Sequence, residues 1–195
     1  MFTLTTTATY EQDIKKSRFL AIAGPAANDE QAKAFIAQHS DPTATHNCWA
    51  WRFGQSYRFN DAGEPTGTAG KPILQAIDGQ QLDNVVVLVI RWFGGILLGA
   101  GGLIRAYGGT AALCLRNAEK SEIIAMSAAA LKIGFSDLAL VKARIGAVPG
   151  LKIDAENYLA DGAELSVSLP EAEAAHLLQM VTDLTSGRAV IRFAD

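Results

Sequence analysis

The chain has 195 residues, of which 49% are hydrophobic and 19% are charged, and its formal net charge is −3. This balance excludes a disordered chain, favours one large or two small globular domains, and gives no reason to expect strong nonspecific binding to nucleic acid. The sequence has only two cysteines, no signal peptide and no apolar run near the roughly 20 residues of a bilayer span, and it therefore predicts a cytoplasmic protein without membrane contact.

Two strands, a helix and a hairpin are predicted for the first 60 residues. Asn28 and Gln31 have the spacing of a capping box, which marks the start of a helix. In chain order, the predicted elements are strands over residues 10–14 and 19–23, a helix from Asn28 to about Gln38, and hairpin strands over residues 46–53 and 55–60.

A polar loop, a short helix and a buried strand follow. Residues 61–70 form the loop, and Pro72 favours the start of a helix that ends at Asp78-Gly79. The unbroken apolar run Val85–Ile90 is typical of a strand that is covered on both faces.

A longer helix is predicted after Gly102. Its inward stripe has helical spacing and consists of Leu103, Tyr107, Ala111 and Cys114. Gly108 and Gly109 lie inside this helix, where each should cost about 1 kcal/mol relative to alanine. They therefore indicate either close helix–sheet packing or a ligand or partner against the helix.

The last part of the chain has the order β-α-β-β-α-β after a polar linker at Asn117–Ser121. This order is that of a ferredoxin-like domain. Pro170 is predicted as the first residue of the second helix, with a buried stripe of Leu177, Leu178, Val181 and Leu184. The sequence thus predicts an α+β protein with an N-terminal α/β domain over residues 1–121 and a ferredoxin-like domain over residues 122–195.

The glycine-rich turn Gly99-Ala100-Gly101-Gly102 connects the buried strand to the long helix. It matches neither the spacing of a dinucleotide fingerprint nor that of a P-loop, so no nucleotide cofactor is expected. Two interpretations stay open: backbone N–H groups of the turn bind a phosphate or carboxylate, or the glycines only permit tight packing.

A second unusual segment runs from Asn60 to Lys71. It holds two carboxylates, Asp61 and Glu64, and two hydroxyls, Thr66 and Thr68. The carboxylates have the chemistry of a metal site or an acid/base pair, but they also suit the capping of a turn.

His46 and Cys48 alternate along a predicted strand and therefore face the same side. Two ligands without a second Cys/His pair do not make a zinc site, and no third group is evident to orient a Cys–His nucleophile. We therefore assign no metal ligand and no catalytic residue, and we interpret this pair as structural or binding residues.

Aromatic residues and arginines cluster around the two glycine-rich segments. Trp92 follows Arg91 directly, and Tyr107 follows Arg105 by two positions. This composition is typical of a surface for single-stranded nucleic acid and also of a protein-interaction hot spot.

Three segments resemble the YigZ/IMPACT family: THNCWAWR at Thr45–Arg52, DAGEPTGTAGKPIL at Asp61–Leu74 and NVVVLVIRWFGGILLGAGGLIRAYG at Asn84–Gly108. The resemblance implies an N-terminal domain like those of a ribosomal protein and elongation factors, and a C-terminal domain like one of an elongation factor. It also implies a link to translation, since eukaryotic members regulate it through a partner that they bind with a further N-terminal domain. We do not expect that partner here, and Ala62 replaces an aspartate common in the family, which weakens a metal site at this loop.

Two hypotheses follow. The first is a non-enzymatic binding protein that contacts RNA, the ribosome or a translation factor, without DNA specificity. Backbone N–H groups of Gly99, Gly101 and Gly102 would hold an anion, and the remaining contacts would come from Lys71, Arg91, Arg105, Trp92 and Tyr107.

The alternative is an enzyme acting on a small anionic or phosphorylated substrate. Its site would be the cleft between the Asp61–Lys71 and Arg91–Arg105 loops. Its working groups would be Asp61, Glu64, Lys71 and His46. Convergence of these side chains in one deep pocket would favour the enzyme, and dispersal would favour binding.

Overall fold

The fold is α+β, as the sequence predicts, and it separates into two units. The computed structural model describes residues 1–193. Met1–Ile123 form the first unit, and the second begins at Ile124. The described helices include none that has the length and apolarity needed to cross a membrane.

The N-terminal unit is built on a five-stranded sheet with three helices. Its strands are β1 (Phe2–Leu4), β2 (Ala8–Ile14), β3 (Ser17–Pro25), β4 (His46–Phe53), β5 (Ser56–Asn60), β6 (Val85–Trp92) and β7 (Lys120–Glu122). Its helices are α1 (Asp29–His39), α2 (Gly70–Gly79) and α3 (Ala100–Asn117). The sheet has the order β2-β3-β6-β4-β5 with every neighbouring pair antiparallel, and β1 pairs separately with β7.

The central strand β6 is covered on both faces, which confirms the interpretation of its apolar run. Val85, Val87 and Val89 pack in one cluster with residues of α2 and α3. The alternate residues Val86, Leu88 and Ile90 lie on the opposite face, where α1 contributes Phe35 and Ile36. The alternation of a strand therefore divides this run between two layers of helix.

Helix α3 starts earlier than predicted. Its first residue is Ala100, so Gly101 and Gly102 lie within its first turn rather than before it. The predicted stripe is confirmed, because Leu103, Tyr107, Ala111 and Cys114 are all buried. Gly108 faces α2, where an added Cβ would lie 3.4 Å from the Cβ of Pro72; this close approach is helix to helix and not helix to sheet.

The C-terminal unit has the ferredoxin-like arrangement. Its elements are β8 (Met126–Gly134), α4 (Phe135–Ile145), β9 (Lys152–Tyr158), β10 (Gly162–Pro170), α5 (Ala174–Thr185) and β11 (Val190–Phe193). The sheet order is β11-β8-β10-β9, and all pairs are antiparallel. Both helices supply residues to a single buried cluster with β8 and β10.

Three sequence predictions outside the site are wrong in detail. The linker predicted at Asn117–Ser121 overlaps β7, whose backbone pairs with β1. Pro170 ends β10 instead of opening a helix, and a 3₁₀ turn at Glu171–Glu173 precedes α5. Leu178 is 45% exposed, whereas Leu177 and Val181 of the predicted stripe are buried.

We expect opposite effects from the same substitution at two helical glycines. Gly109→Ala should stabilise the N-terminal unit by about 1 kcal/mol, because alanine favours the helix and an added Cβ meets no atom within 4 Å. Gly70→Ala should destabilise it by about 1–3 kcal/mol, because the Cβ would lie 2.7 Å from the backbone nitrogen of Asn60.

Urea denaturation followed by tryptophan fluorescence measures both changes. All three tryptophans, Trp49, Trp51 and Trp92, lie in the N-terminal unit, so the signal reports that unit alone. Equal effects of the two variants would contradict the prediction.

Candidate functional site

A row of side chains crosses the sheet at the end of β6. Arg91 is the register partner of Phe19 on β3 and of His46 on β4. Directly opposed residues of antiparallel strands share a face, and Arg91 alternates with Val89, which faces α2 and α3. The strand register therefore places the guanidinium of Arg91 beside the imidazole of His46, on the face of the sheet that α2 and α3 cover.

The guanidinium of Arg91 is neutralised by Glu64 in the interior. Its Nη1 donates to Glu64 Oε1 at 2.6 Å, and the two side chains are 5% and 4% exposed. Tyr107 Oη donates to the same oxygen at 2.7 Å. Arg91 Nη2 donates to Ser17 Oγ at 3.3 Å, whereas its Nε has no hydrogen-bond partner among the described residues.

His46 completes this polar cluster. Its Nδ1 lies 2.9 Å from the carbonyl oxygen of Ala62, which only accepts, so Nδ1 carries the proton. Its Nε2 lies 3.7 Å from Glu64 Oε1. The imidazole is therefore oriented by the loop backbone and faces the carboxylate.

Cys48 lies on the same face as His46, two positions further along β4, and is buried. Burial raises the pKa of its thiol to about 12, and the Sγ–H donates to the carbonyl oxygen of Asp61 at 2.9 Å. Because the thiolate is the nucleophilic form, a buried thiol that keeps its proton is not a nucleophile. Burial likewise raises the pKa of Tyr107, which stays a hydrogen-bond donor to Glu64.

Asp61 binds the backbone of its own loop. Its carboxylate accepts N–H bonds from Gly67 at 2.8 Å, Ala69 at 3.0 Å and Gly70 at 2.8 Å. Partial burial raises the pKa of Asp61, but these three donors outweigh it and the pKa lies below its ordinary value. Asp61 thus caps α2 from outside the helix, as the turn-capping alternative predicts.

Thr68 also serves the loop, because its hydroxyl donates to the carbonyl oxygen of Pro65 at 2.6 Å. Thr66 is exposed. Among residues 1–193, no three His, Cys, Asp or Glu side chains are grouped closely enough to hold a metal ion.

A cavity of about 370 Å³, which we call the Arg91 cavity, opens above the polar cluster. Its lining residues come from β4, β6, the Glu64 loop and the start of α3, and they are Thr45, His46, Glu64, Pro65, Arg91, Phe93, Leu97, Leu98, Gly99, Ala100 and Leu103.

The first turn of α3 lines this cavity without a side-chain cap. Gly99 precedes the helix at φ +71°, a conformation that glycine adopts without strain. No acidic residue lies in the first turn, and no side chain bonds its N–H groups. The free N–H groups and the helix dipole therefore favour negative charge at this end.

The other predicted site residues lie elsewhere. Gly102 and Arg105 line a second cavity of about 300 Å³ together with Gln12 and Lys15, and Leu98 borders both cavities. Lys71 is exposed on α2 and lines neither.

The two aromatic residues assigned to partner contact differ in exposure. Trp92 is half-buried under the guanidinium of Arg18, 4.5 Å from its ring centroid. The expectation that Tyr107 contacts a partner is wrong, because Tyr107 is completely buried.

The residues that the sequence did not single out are Ser17, Leu97 and Leu98. Ser17 bonds Arg91 and the N–H of Gly94, a contact between positions that only the β3–β6 register brings together. The sequence does contain one indication of Leu97 and Leu98. Two leucines between glycines in a loop are exposed to solvent unless another part of the protein or a partner covers them.

The fold and the site define a two-unit α+β protein with a small cavity at a helix N-terminus of its first unit. Residues 15–115 match the family model described as the Impact N-terminal domain, and residues 131–188 match a domain of unknown function (DUF1949). The chain belongs to the IMPACT family.

Two relatives that match over most of their length, and a third that matches over a shorter stretch, support this assignment. An IMPACT family member of Thermus thermophilus is 47% identical over 177 residues, covering 90% of this chain and 97% of that protein. YigZ of Escherichia coli is 37% identical over 188 residues, covering 92% and 90%. Protein IMPACT of Mus musculus is 32% identical over 93 residues, which cover 44% of this chain and 29% of that protein.

The fold also matches a solved structure. A crystal structure described as a hypothetical protein superimposes with a TM-score of 0.72 at 33% identity, over 100% of this chain and 97% of the other. The likeness therefore extends over both units of the chain.

Removing one member of the Arg91–Glu64 pair should lower the stability of the N-terminal unit. Glu64→Leu should destabilise the N-terminal unit by about 3–5 kcal/mol, because it leaves a buried guanidinium without its counter-charge. The double variant Glu64→Leu/Arg91→Met should be closer in stability to the unmodified protein than Glu64→Leu alone. Urea denaturation followed by tryptophan fluorescence measures the free energy of unfolding of both single variants and of the double variant. If the loss in the double variant equals the sum of the losses in Glu64→Leu and Arg91→Met, the two side chains do not interact.

The capping carboxylate predicts a pH dependence. Asp61→Asn should cost about 1–3 kcal/mol near neutral pH, because three N–H groups then lose a charged acceptor. The folded pKa is depressed, so the contribution is complete above the unfolded pKa of about 3.9 and is lost as the pH falls through the folded pKa.

The stability gap between the unmodified protein and Asp61→Asn should therefore narrow below about pH 4. Unfolding by urea at several pH values measures it. Asp13→Asn, which changes an exposed carboxylate on β2, is the control and should change stability by less than about 0.5 kcal/mol. A gap that stays constant down to pH 2 would refute the capping role of the carboxylate.

Proposed function

We propose that the protein is a non-enzymatic binding protein linked to the regulation of translation, and that its partner is a translation factor or a ribosomal component. The contact surface is the start of α3 and the segment before it, residues 93–100, which we call the α3 N-terminal face. The link to translation follows from the family likeness, and the choice of surface follows from the distribution of apolar side chains.

The observation that carries the proposal is the exposure of three apolar residues beside the Arg91 cavity. Phe93 is 44% exposed, Ile96 40% and Leu97 83%. Phe93 and Leu97 also line the cavity. Large apolar side chains exposed together at the rim of a cavity are typical of surfaces that bind another molecule.

A protein partner fits this surface better than RNA does. The whole chain has a net charge of −3. Tyr107 is completely buried, and the guanidinium of Arg18 covers one face of the half-buried Trp92 ring. Stacking on RNA bases needs an exposed ring face. The basic residues of the second cavity, Lys15 and Arg105, suit acidic side chains of a partner at the rim.

The enzymatic alternative receives less support. Of its four working groups, only His46 and Glu64 line the Arg91 cavity. Glu64 is neutralised by Arg91, Asp61 caps the loop, and Lys71 lies outside. This dispersal favours binding.

We expect the Leu97→Asp variant to bind its partner roughly tenfold or more weakly than the unmodified chain does. A charge then replaces an apolar contact at the centre of the surface. Co-sedimentation with ribosomes and titration against purified translation factors measure the loss. Leu178→Asp, at a 45% exposed leucine of α5, is the matched control and should bind normally.

A second experiment, with single-stranded RNA, tests whether the partner is RNA instead of a protein. Arg105→Ala is compared with Arg116→Ala, which removes the same charge from the opposite end of α3. Salt-dependent binding of single-stranded RNA that Arg105→Ala weakens and Leu97→Asp does not would overturn the proposal in favour of RNA. Absence of binding to ribosomes, factors and RNA would also overturn it.

A further inference from the structure

A groove lies between the edge strand β2 and helix α3. Strand β2 stands at one end of the strand order of the five-stranded sheet, so one side of it has no neighbouring strand among residues 1–193. The second cavity, of about 300 Å³, lies along this strand. Its lining includes Gln12 and Ile14 of β2 and Gly102, Ala106 and Gly109 of α3. We call this surface the β2–α3 groove.

The free edge of β2 presents hydrogen-bonding groups of the main chain. Ile14 is the register partner of Ser17 in β3, which leaves a two-residue turn between the strands. The pair that closes such a turn is hydrogen-bonded, and bonded and non-bonded pairs alternate along an antiparallel ladder. The N–H and C=O groups of Glu11 and Asp13 therefore point away from β3. An extended chain placed beside β2 can bond all of these groups.

Helix α3 leaves space for the side chains of such a chain. Gly102, Ala106 and Gly109 have the spacing of one helix face, and an added Cβ at Gly109 would meet no atom within 4 Å. Glycine disfavours a helix, so Gly109 gives an open surface at a position where most residues would be more favourable. Side chains of an added strand that point toward α3 can therefore rest on the helix itself.

The charges around the groove lie on two faces of the sheet. Lys15 and Arg105 line the cavity, whereas the ion pairs within residues 1–193 are made by other basic residues. Glu11 and Asp13 alternate with Gln12 along β2 and so face away from α3. A strand that complements both faces has an acidic residue beside Lys15 and Arg105, and basic residues on its other face.

The same charges disfavour a second copy of this chain in the groove. If two β2 strands paired over these residues, Glu11 and Asp13 of one copy would lie opposite or diagonal to the acidic residues of the other. Like charges in these positions destabilise a sheet, and charged edge strands are a common protection against self-pairing. The charges therefore favour a different protein as the occupant.

We propose that the β2–α3 groove binds an extended segment of a partner protein as an added antiparallel strand. Its apolar side chains alternate with basic ones and lie on α3 at Ala106 and Gly109. The basic side chains lie opposite Glu11 and Asp13, and an acidic residue at the N-terminal end of the segment lies beside Lys15. This inference rests on the proposed function, since it states how the protein partner is held next to the α3 N-terminal face.

The test uses the full chain and a peptide with this pattern, acetyl-Glu-Lys-Val-Lys-Val-amide. Titration followed by ¹H–¹⁵N NMR should give a dissociation constant on the order of 1 mM. The shifts should be centred on residues 10–15 and 102–113. Absence of binding, or shifts confined to other parts of the chain, would overturn the proposal.

Methylation of the peptide nitrogens separates an added strand from other kinds of contact. In the proposed pairing the lysine N–H groups of the peptide point to β2, and the valine N–H groups point away from it. A methyl group on both lysine backbone nitrogens should weaken binding at least about tenfold. The same change on both valine nitrogens should leave binding within about twofold. Equal effects of the two modifications would contradict strand addition.

Gly109→Leu closes the groove without lowering stability. Leucine favours a helix over glycine, and its Cβ has free space at this position. The variant should be at least as stable as the unmodified chain in thermal unfolding and should bind the peptide at least about tenfold more weakly. Leu178→Asp on α5 is the control and should bind the peptide normally. A folded Gly109→Leu variant with unchanged affinity would overturn the proposal.

Arg105→Ala gives a test that does not depend on the leucine variant. Arg105 is exposed, so its truncation leaves the core intact. The variant should bind the peptide several-fold more weakly than the unmodified chain does. A second peptide with glutamine in place of glutamate should bind both proteins equally, because it has no charge for Arg105 to contact. Equal losses for the two peptides would refute the acidic contact on which the proposed orientation depends.

The remaining occupants are distinguished in the same experiments. Short single-stranded RNA that shifts residues 10–15 and 102–113 where the peptide does not would replace the proposal with an RNA site. Sedimentation that shows a dimer of the unmodified chain, and a monomer of Gly109→Leu, would assign the groove to a second copy instead.

Failure of this inference differs from failure of the proposed function. If ribosomes or factors bind and Leu97→Asp weakens them, but the methylated peptides do not differ, only the added strand is wrong. If the peptide binds as expected and no translation component binds, the groove is a peptide site in a protein with another role.

Discussion

The buried ion pair of Arg91 and Glu64 is the interaction on which the N-terminal unit depends. Strand β6 has four valines, one leucine and one isoleucine before Arg91, whose side chain is 95% buried. A buried charge needs a partner of opposite charge. Glu64 supplies it from a loop, Tyr107 of α3 bonds the same carboxylate, and Ser17 of β3 bonds the guanidinium. Four segments of the chain are therefore held at one point, and the floor of the cavity is fixed by the same contacts.

The residues around this pair make further contacts that hold the loop and the floor of the cavity in place. Asp61 holds the loop through its backbone, which places Glu64 under α3, and the Ala62 carbonyl orients His46. The carboxylates of Asp61 and Glu64 are thus both bonded by donors of the protein itself. The first turn of α3, which borders the cavity, has no side-chain cap and no acidic residue. An uncapped helix N-terminus under an exposed apolar rim supports the binding role proposed above.

The sequence predicts the parts of this structure that depend on local pattern. The apolar run of β6 and the stripe of α3 have clear periodicity, and the order of elements reveals the ferredoxin-like unit. The buried pair has no such signal, because Glu64 and Arg91 are 27 residues apart and the loop that carries Glu64 meets the end of β6 only in the folded structure. Tyr107 looked like a contact residue because aromatic composition does not distinguish a buried ring from an exposed one. Asn117–Ser121 looked like a linker because strand β7 pairs through its backbone and needs no apolar side chains.

The pairing of β1 with β7 closes the N-terminal unit with its own two ends. Phe2 is the register partner of Glu122 and also forms an isolated bridge with Leu82, so both pairings of β1 join residues that are far apart in the chain. Contacts of such large sequence separation form late in folding. They also bring the start and the end of the unit to neighbouring positions, a geometry that lets a unit be joined to different companions without rearranging its interior.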